Sequence, residues 1–203
     1  LMDSAACIAS ALQAACADLG YAVPSEREAR YIIGLGLNDA LAHVLPGVAA
    51  TEYPRVADRY RHHFLQADAA TRLFAGAAEM LQSLHQAGHL LAVATGKSRR
   101  GLDRALAATG LTPYFHATRC ADEGCSKPDP EMLYRLLAHL KIDAARALMI
   151  GDTTHDMEMA LAAGVERLAI SHGAHEKCEL LEYRPLACVA DCRELRSWLD
   201  EHA

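Results

Sequence analysis

The chain has 203 residues, of which 52% are hydrophobic, and its formal net charge is −6 at pH 7. That length can form one large domain, or a core with a smaller inserted domain. No basic stripe typical of nucleic-acid-binding proteins is visible, and no apolar run reaches the roughly 18 residues that span a bilayer. We therefore expect neither nucleic acid nor a membrane among its partners.

The seven cysteines form an odd and scattered set. Such a set argues against a disulfide framework and favours reduced thiols. The N-terminal residues show no basic segment ahead of an apolar one, so no signal peptide is predicted. We expect a cytoplasmic protein, and the sequence leaves its oligomeric state open.

The first third of the chain is predicted to be helical, because capping residues and apolar spacing mark four helices. They run from Asp3 or Ser4 to about Leu19, from the Ser25 and Glu28 capping box onward, over residues 38–44, and from Thr51 towards Leu65. No segment in this part has a convincing strand pattern. A small helical bundle is therefore expected.

The rest of the chain alternates between short apolar runs and helical segments. Strands are predicted at 90–94, 116–119, 148–150, 167–170 and 187–189, and helices at 77–86, 98–110, 130–140, 194–201 and in the segment that ends at Gly164. Continuous apolar strands that alternate with helices are typical of a parallel sheet covered on both faces. The expected fold is α/β, with a doubly wound parallel sheet.

The first candidate site follows the strand at 90–94. Ligands of such sheets bind beyond the carboxyl ends of the strands, and the residues there are Thr95, Gly96, Lys97 and Ser98. A hydroxyl, a flexible glycine and a helix N-terminus favour phosphate, because free N–H groups and the helix dipole both attract an anion. The alternative is a plain strand-to-helix turn with a serine cap.

Two carboxylates follow the strand at 148–150. Asp152 lies at the strand end and Asp156 four residues later, which places both on one side of the first helical turn. Two carboxylates aimed at one point repel each other unless a cation or a basic group lies between them. Mg²⁺, which prefers oxygen ligands, fits this pattern. The alternative is that Asp152 or Thr153 only caps the helix.

Between these segments, Lys127 lies in a loop that Pro128 and Pro130 stiffen. A lysine held in such a loop can neutralise a phosphoryl oxygen or orient a carboxylate. Taken alone, the pattern is also consistent with a solvated lysine on a loop.

The order of these segments, with Thr95 first, then Lys127, then Asp152 and Asp156, resembles three of the four motifs of the haloacid-dehalogenase-like phosphatases. In that family the remaining motif comes first. It is an apolar strand followed by Asp-x-Asp-Gly-Thr, usually running on into Leu-x-Asp-Ser.

The chain begins Leu1-Met2-Asp3-Ser4, which matches the residues right after that first motif. The resemblance therefore implies roughly 10 to 20 further N-terminal residues in the natural protein, enough for one strand and its turn. That strand is expected in the middle of the sheet, between the strands that end at Thr95 and Ile150.

The resemblance also implies a domain organisation. Residues 1–3 and 75–203 would form a Rossmann-type core, and residues 4–74 an inserted helical cap similar to those of phosphoglycolate phosphatases and β-phosphoglucomutases. The implied activity is Mg²⁺-dependent hydrolysis of a small phosphomonoester, phosphoglycolate-like in type, through an aspartyl-phosphate. The partner would be a small phosphorylated metabolite, and the nucleophile would precede Leu1.

The family's roles carry over residue by residue. Thr95 and the Gly96 N–H would bind phosphoryl oxygens, and Lys127 would stabilise the nucleophile and the developing charge. Asp152 would bind Mg²⁺ directly, and Asp156 would do so through water or would orient Lys127.

The cap turn Gly34-Leu35-Gly36 lies where the family's cap loop faces the active site, which makes it a candidate for substrate specificity. A helix-breaking turn is an equally good explanation. His172, His175 and Cys178 have ligand-like spacing, but no fourth ligand is nearby and we do not predict zinc.

Two other functions stay open. A phosphomutase similar to β-phosphoglucomutase would move phosphate between positions of a sugar phosphate without net release. A non-catalytic relative would bind a phosphorylated ligand or a protein.

Overall fold

The structure, a computed structural model, describes residues 1–68 and 72–202. The N-terminal part holds α1 (Ala5–Asp18), α2 (Glu26–Tyr31), α3 (Leu37–Val44) and α4 (Tyr53–Asp68). These helices pack around one apolar cluster in which Leu12, Leu41 and Val56 are fully buried. The helical bundle expected for this part is present.

Local signals explain most of these helix boundaries. Ser25 and Glu28 form the expected capping box, with the Ser25 N–H donating to Glu28 at 2.8 Å. Helix α4 begins at Tyr53 rather than at Thr51, because residues 50–52 form a tighter 3₁₀ turn before it.

The α/β part begins with α5 and ends with α10. Its helices and strands are α5 (Ala77–Gln86), β1 (Ala92–Thr95), α6 (Arg99–Thr109), β2 (Ala117–Cys120), α7 (Glu131–Leu140), β3 (Leu148–Gly151), α8 (Thr154–Ala163), β4 (Glu166–Ile170), α9 (Lys177–Leu181), β5 (Cys188–Val189) and α10 (Cys192–His202).

Two differences from the sequence-based expectation have physical causes. β1 begins at Ala92 rather than at residue 90, since the Leu91 N–H donates to the His116 ring and not to a strand. Helix α9 was not predicted, because five residues are too few for a periodic apolar signal.

All strand pairs among the described residues are parallel, and helices cover both faces. Leu168 and Ile170 of β4 pack in a cluster with residues of α5 and α10. Ala169 between them packs with Met157 of α8 and Leu180 of α9. Alternate residues of one strand thus face opposite helical layers, and the predicted α/β class is confirmed.

The strands form two sheets instead of one continuous sheet. β1 pairs with β2, and β3 pairs with β4, which pairs with β5. The second edge of β1 and that of β3 have no strand partner within the described ranges, and both strands line one cavity of about 1900 Å³. Most of its β1 and β3 residues, such as Val93 and Ile150, are only partly buried, unlike the inner residues of β4.

The chain enters and leaves the helical bundle along neighbouring segments. The Asp3 N–H donates to Arg72 O at 2.9 Å and the Phe74 N–H donates to Leu1 O at 2.9 Å, with Met2 bridged to Leu73 in antiparallel fashion. The expected division of the chain at residues 4–74 stays a prediction.

Two observations bear on the expected surroundings of the protein. Across residues 1–68 and 72–202, no helix has the length and apolar character needed to cross a membrane. All seven cysteines are free thiols. The cytoplasmic location stays a prediction.

The stability of the fold should depend strongly on the face of β4 that packs against α5 and α10. We predict that Leu168→Ala lowers the free energy of unfolding by about 2–5 kcal/mol, because the fully buried side chain leaves a cavity. Urea-induced unfolding followed by circular dichroism measures this loss. Leu161→Ala on α8 is the control, since Leu161 is 55% exposed and its loss should stay within about 0.5 kcal/mol. Equal losses in the two variants would contradict the assignment of this core.

Candidate active site

The end of β1 presents a hydroxyl group and a helix N-terminus. Thr95 Oγ1 accepts the Lys97 N–H at 3.2 Å. The hydroxyl hydrogen of Thr95 has no acceptor in the part of the chain that the structure describes, so it is available to a ligand. Ser98 caps α6 by accepting the Gly101 N–H, so the serine cap weighed as an alternative is also present.

Lys127 forms a buried ion pair at the end of β3. Its Nζ lies 2.6 Å from Asp156 Oδ1, and the two residues are 6% and 3% exposed. The second carboxylate oxygen of Asp156 accepts the hydroxyl of Thr153 at 2.8 Å and its N–H at 3.2 Å. A lysine in this loop is therefore not solvated, and each buried charge has a partner of opposite sign.

The protonation state of Asp156 follows from these contacts. Burial alone would raise the pKa of its carboxyl group, but the Lys127 ammonium and the Thr153 hydrogen bonds outweigh burial and hold the pKa below the usual 3.8. Asp156 is therefore ionised at neutral pH, and it fixes the position of the lysine.

The pair needs a glycine at the strand end. A Cβ atom at Gly151 would lie 2.3 Å from the Asp156 Cβ, well inside contact distance. The first turn of α8 can thus sit directly over the end of β3 only because residue 151 has no side chain.

Asp152 is held by the loop that follows β4. Its Oδ2 accepts the Ala174 N–H at 2.9 Å, and its backbone O accepts the His175 N–H at 3.1 Å. A Cβ atom at Gly173 would overlap the Asp152 carboxylate, so this loop also requires a glycine. The second oxygen of Asp152, Oδ1, accepts no hydrogen bond from residues 1–68 or 72–202.

These acids fit a hard cation only in part. Mg²⁺ takes oxygen ligands, and Asp152 offers one uncommitted oxygen, whereas both oxygens of Asp156 are committed to Lys127 and Thr153. Among the described residues, no group of three or more histidine, cysteine or acidic side chains could hold a metal ion. The donor set fits Mg²⁺ at Asp152 if other oxygen ligands complete the site. Of the two roles expected for Asp156, the structure shows the contact with Lys127, and contact with Mg²⁺ through water stays a prediction.

The cap turn Gly34-Leu35-Gly36 lies against all three site segments. The carbonyl oxygens of Gly34 and Leu35 lie 2.5 Å from where a Cβ atom at Gly96 would be. A Cβ at Gly34 would lie 3.2 Å from Thr153 Oγ1, and one at Gly36 3.0 Å from the Ser126 Cβ. The turn therefore closely covers the predicted phosphate site, although its role in specificity stays a prediction.

Comparison with known proteins identifies the family of the chain. The family model of haloacid dehalogenase-like hydrolases matches residues 1–170 of the chain. The chain belongs to this family.

Several relatives of this chain are named as phosphatases. "Probable phosphatase IndB" of Dickeya dadantii is 34% identical over 93% of this chain and 84% of the relative. A plasmid-encoded phosphoglycolate phosphatase of Cupriavidus necator is 35% identical over 85% of this chain and 77% of the relative. Together with the family match, these relatives confirm the prediction of a phosphatase enzyme of the haloacid dehalogenase-like family.

A solved structure supports the fold. A hydrolase from Pseudomonas syringae superposes with a TM-score of 0.92 at 20% identity, covering 100% of this chain and 94% of that chain. At that identity the likeness shows that the two chains share a fold, and no more.

Sequence reasoning missed a histidine cluster beside the site. His155 and His175 are each 5% exposed, and the Nε2 atoms of both lie within 2.9 Å of the Tyr31 carbonyl oxygen in the helical bundle. Burial lowers the pKa of His155 despite this hydrogen bond. Tyr31 is 124 residues away from His155 in sequence, so no local pattern could have linked them.

The zinc spacing of His172, His175 and Cys178 does not produce a metal site. Both ring nitrogens of His175 are engaged, by Thr154 and Tyr31. The His172 ring stacks on Phe74 at 3.8 Å, and Cys178 is exposed. The sequence-based preference against zinc agrees with these contacts.

The buried ion pair gives a stability prediction. We expect Asp156→Asn to lower the free energy of unfolding by about 3–5 kcal/mol at pH 7, because the Lys127 ammonium would stay buried without a counter-charge. The folded-state pKa of Asp156 lies below its unfolded value of 3.8. The contribution of the ion pair to the free energy of unfolding is therefore complete above pH 3.8. It is lost as the pH falls through the lower folded-state pKa.

Urea unfolding of the wild type and of Asp156→Asn between pH 7 and pH 3 measures this difference. Asp200→Asn is the matched control, since Asp200 pairs with Arg196 at the surface and its loss should cost less than about 1 kcal/mol. A penalty for Asp156→Asn that is the same at both ends of the pH range would contradict the assigned pair.

Proposed function

We propose that this chain is the larger part of a Mg²⁺-dependent phosphatase that hydrolyses a small phosphomonoester, phosphoglycolate-like in type, through an aspartyl-phosphate. The observation that carries the proposal is the buried Lys127–Asp156 pair beside Asp152 at the end of β3, in a cavity that Thr95 also lines.

The phosphate would bind at the end of β1. The Thr95 hydroxyl can donate one hydrogen bond, and the N-terminus of α6 adds a favourable dipole. Lys127 uses one ammonium hydrogen on Asp156 and keeps two for phosphoryl oxygens. Phosphoryl transfer depends mainly on positioning and charge stabilisation, and a lysine locked by a buried carboxylate supplies both without reorganising.

The nucleophile would come from a strand that precedes Leu1. Among the described residues, the second edges of β1 and β3 pair with no strand, and both strands line one cavity. Buried backbone groups without a partner are costly. A parallel strand between these edges would end beside Thr95 and Asp152, where ligands of such sheets bind. We propose that it carries Asp-x-Asp, whose first carboxylate attacks phosphorus while the second protonates the leaving oxygen.

Asp152 would hold Mg²⁺ through its uncommitted oxygen, with Asp156 at most in contact through water. When bound, the metal would neutralise charge on the nucleophile and on the phosphoryl group. The chain's own part is to orient Asp152 by two backbone N–H groups, those of Ala174 and His175.

A small substrate is supported by the closeness of the cap turn. The Gly34 and Leu35 carbonyls lie directly over Gly96, so the turn covers one side of the candidate phosphate site. Such closure also excludes water from the covalent intermediate, apart from the attacking molecule. The Cupriavidus necator relative is named for phosphoglycolate, which agrees with a small acid as the phosphate ester.

The test uses the natural protein with any residues that precede Leu1. We expect it to release phosphate from at least one small phosphorylated acid or sugar, and to stop when EDTA removes Mg²⁺. Lys127→Gln should lower kcat/KM by at least about a hundredfold, because it removes a fixed charge from the transition state. Lys177→Gln changes an exposed lysine and should leave kcat/KM unchanged.

Other outcomes would overturn the proposal. Transfer of phosphate between sugar bisphosphates without release would indicate a phosphomutase. Binding of a phosphorylated ligand with neither release nor transfer would indicate a non-catalytic relative.

A further inference from the structure

One backbone carbonyl of the helical bundle accepts two imidazole N–H groups from the α/β part. The oxygen belongs to Tyr31, the last residue of α2, and it lies 2.7 Å from His155 Nε2 and 2.9 Å from His175 Nε2. The last carbonyls of a helix have no partner within the helix, so a buried one needs donors from elsewhere. We call these three residues the Tyr31 clamp.

The hydrogen positions in the clamp follow from the partners. A carbonyl oxygen can only accept, so both Nε2 atoms carry a hydrogen. The Thr154 N–H donates to His175 Nδ1 at 3.0 Å, which makes Nδ1 an acceptor and fixes His175 as the neutral Nε2–H tautomer. The Tyr31 ring also contacts both imidazoles, stacked on His175 at 5.5 Å and at an edge to His155 at 5.1 Å.

Both imidazoles lie on segments that carry or contact the candidate site acids. His155 directly precedes Asp156 in the first turn of α8. The His175 N–H donates to the Asp152 carbonyl oxygen. Arg30 adds a second link from α2, because its guanidinium donates to Gly173 O at 3.1 Å.

The clamp also fixes the start of the cap turn. Three residues after Tyr31, Gly34 adopts φ +104° and its carbonyl lies over Gly96. The Ile33 N–H donates to Arg30 O and the Leu35 N–H donates to Ile32 O, so the segment from α2 to the turn is a continuous set of tight turns. A displacement of Tyr31 would therefore move the turn away from Gly96.

We propose that His155 and His175 are positioning residues. Through the Tyr31 carbonyl, they hold the cap turn Gly34-Leu35-Gly36 at a fixed distance from the candidate phosphate site. They act on the geometry of the closed site and do not themselves touch the phosphate. The consequence for turnover rests on the proposed function, whereas the consequence for the turn does not.

Substitutions at the two histidines can remove the hydrogen bond to Tyr31 while keeping other contacts of the side chain. His175→Asn keeps an acceptor for the Thr154 N–H at the position of Nδ1 but loses the reach to Tyr31. His155→Gln places an amide N–H near the position of Nε2, while His155→Leu removes the donor. His139→Asn is the control, because His139 is exposed on α7.

The first readout is hydrogen–deuterium exchange of the Ile33 and Leu35 amides in the natural protein. The loss of one hydrogen bond should speed their exchange about five- to tenfold in His175→Asn and in His155→Leu. His155→Gln should restore slower exchange, and His139→Asn should match the wild type. The Ala169 amide, bonded to Ala187 O in the α/β part, should change by less than about twofold.

The second readout is steady-state phosphatase kinetics. His175→Asn should lower kcat more than it raises KM, because a displaced turn weakens the closed site rather than initial binding. Absence of activity in the wild type would refute the proposed function and leave the exchange test intact.

The inference is overturned if Ile33 and Leu35 exchange at the wild-type rate in both His175→Asn and His155→Leu. It is also overturned if the Ala169 amide accelerates as much as they do, since the histidines would then only stabilise the fold. If His155→Leu does not fold, His175→Asn together with His155→Gln decides the question.

Discussion

The structure of the candidate site depends on one buried ion pair, between Lys127 and Asp156. Two charges at 3–6% exposure are tolerated only because they lie 2.6 Å apart and hydrogen bonds from Thr153 satisfy the remaining oxygen. The pair joins the loop before α7 to the first turn of α8, and it requires glycine at residue 151 beneath it. In the proposed function, this rigidly held lysine at the end of β3 would bind the phosphoryl group.

The second constraint is the division of the sheet. Among the described residues, no strand pairs with the second edge of β1 or of β3. Both strands line one cavity, where residues such as Val93 and Ile150 are only partly buried. Parallel sheets are normally covered on both faces, and buried backbone groups without a partner are costly. The cap turn over Gly96 and the Tyr31 clamp lie at the end of the sheet where β1 and β3 end. The ion pair lies at the same end.

The sequence predicted what depends on local pattern and missed what depends on distant contacts. Apolar runs gave the parallel strands to within two residues, and the Ser25 capping box was predicted correctly because its partner is three residues away. No local pattern could show the contact of Asp156 with Lys127, because the two residues are 29 positions apart in sequence. The contact of His155 with Tyr31 joins two parts of the fold that only the packing of the bundle brings together.

The proposed mechanism requires a strand that carries the nucleophile between β1 and β3. Intact mass and N-terminal sequencing of the protein isolated from its natural source would show whether such a strand exists. We expect residues ahead of Leu1 that contain an apolar strand followed by Asp-x-Asp-Gly-Thr. A natural protein that begins at Leu1, or an upstream segment without these aspartates, would contradict a covalent phosphatase mechanism.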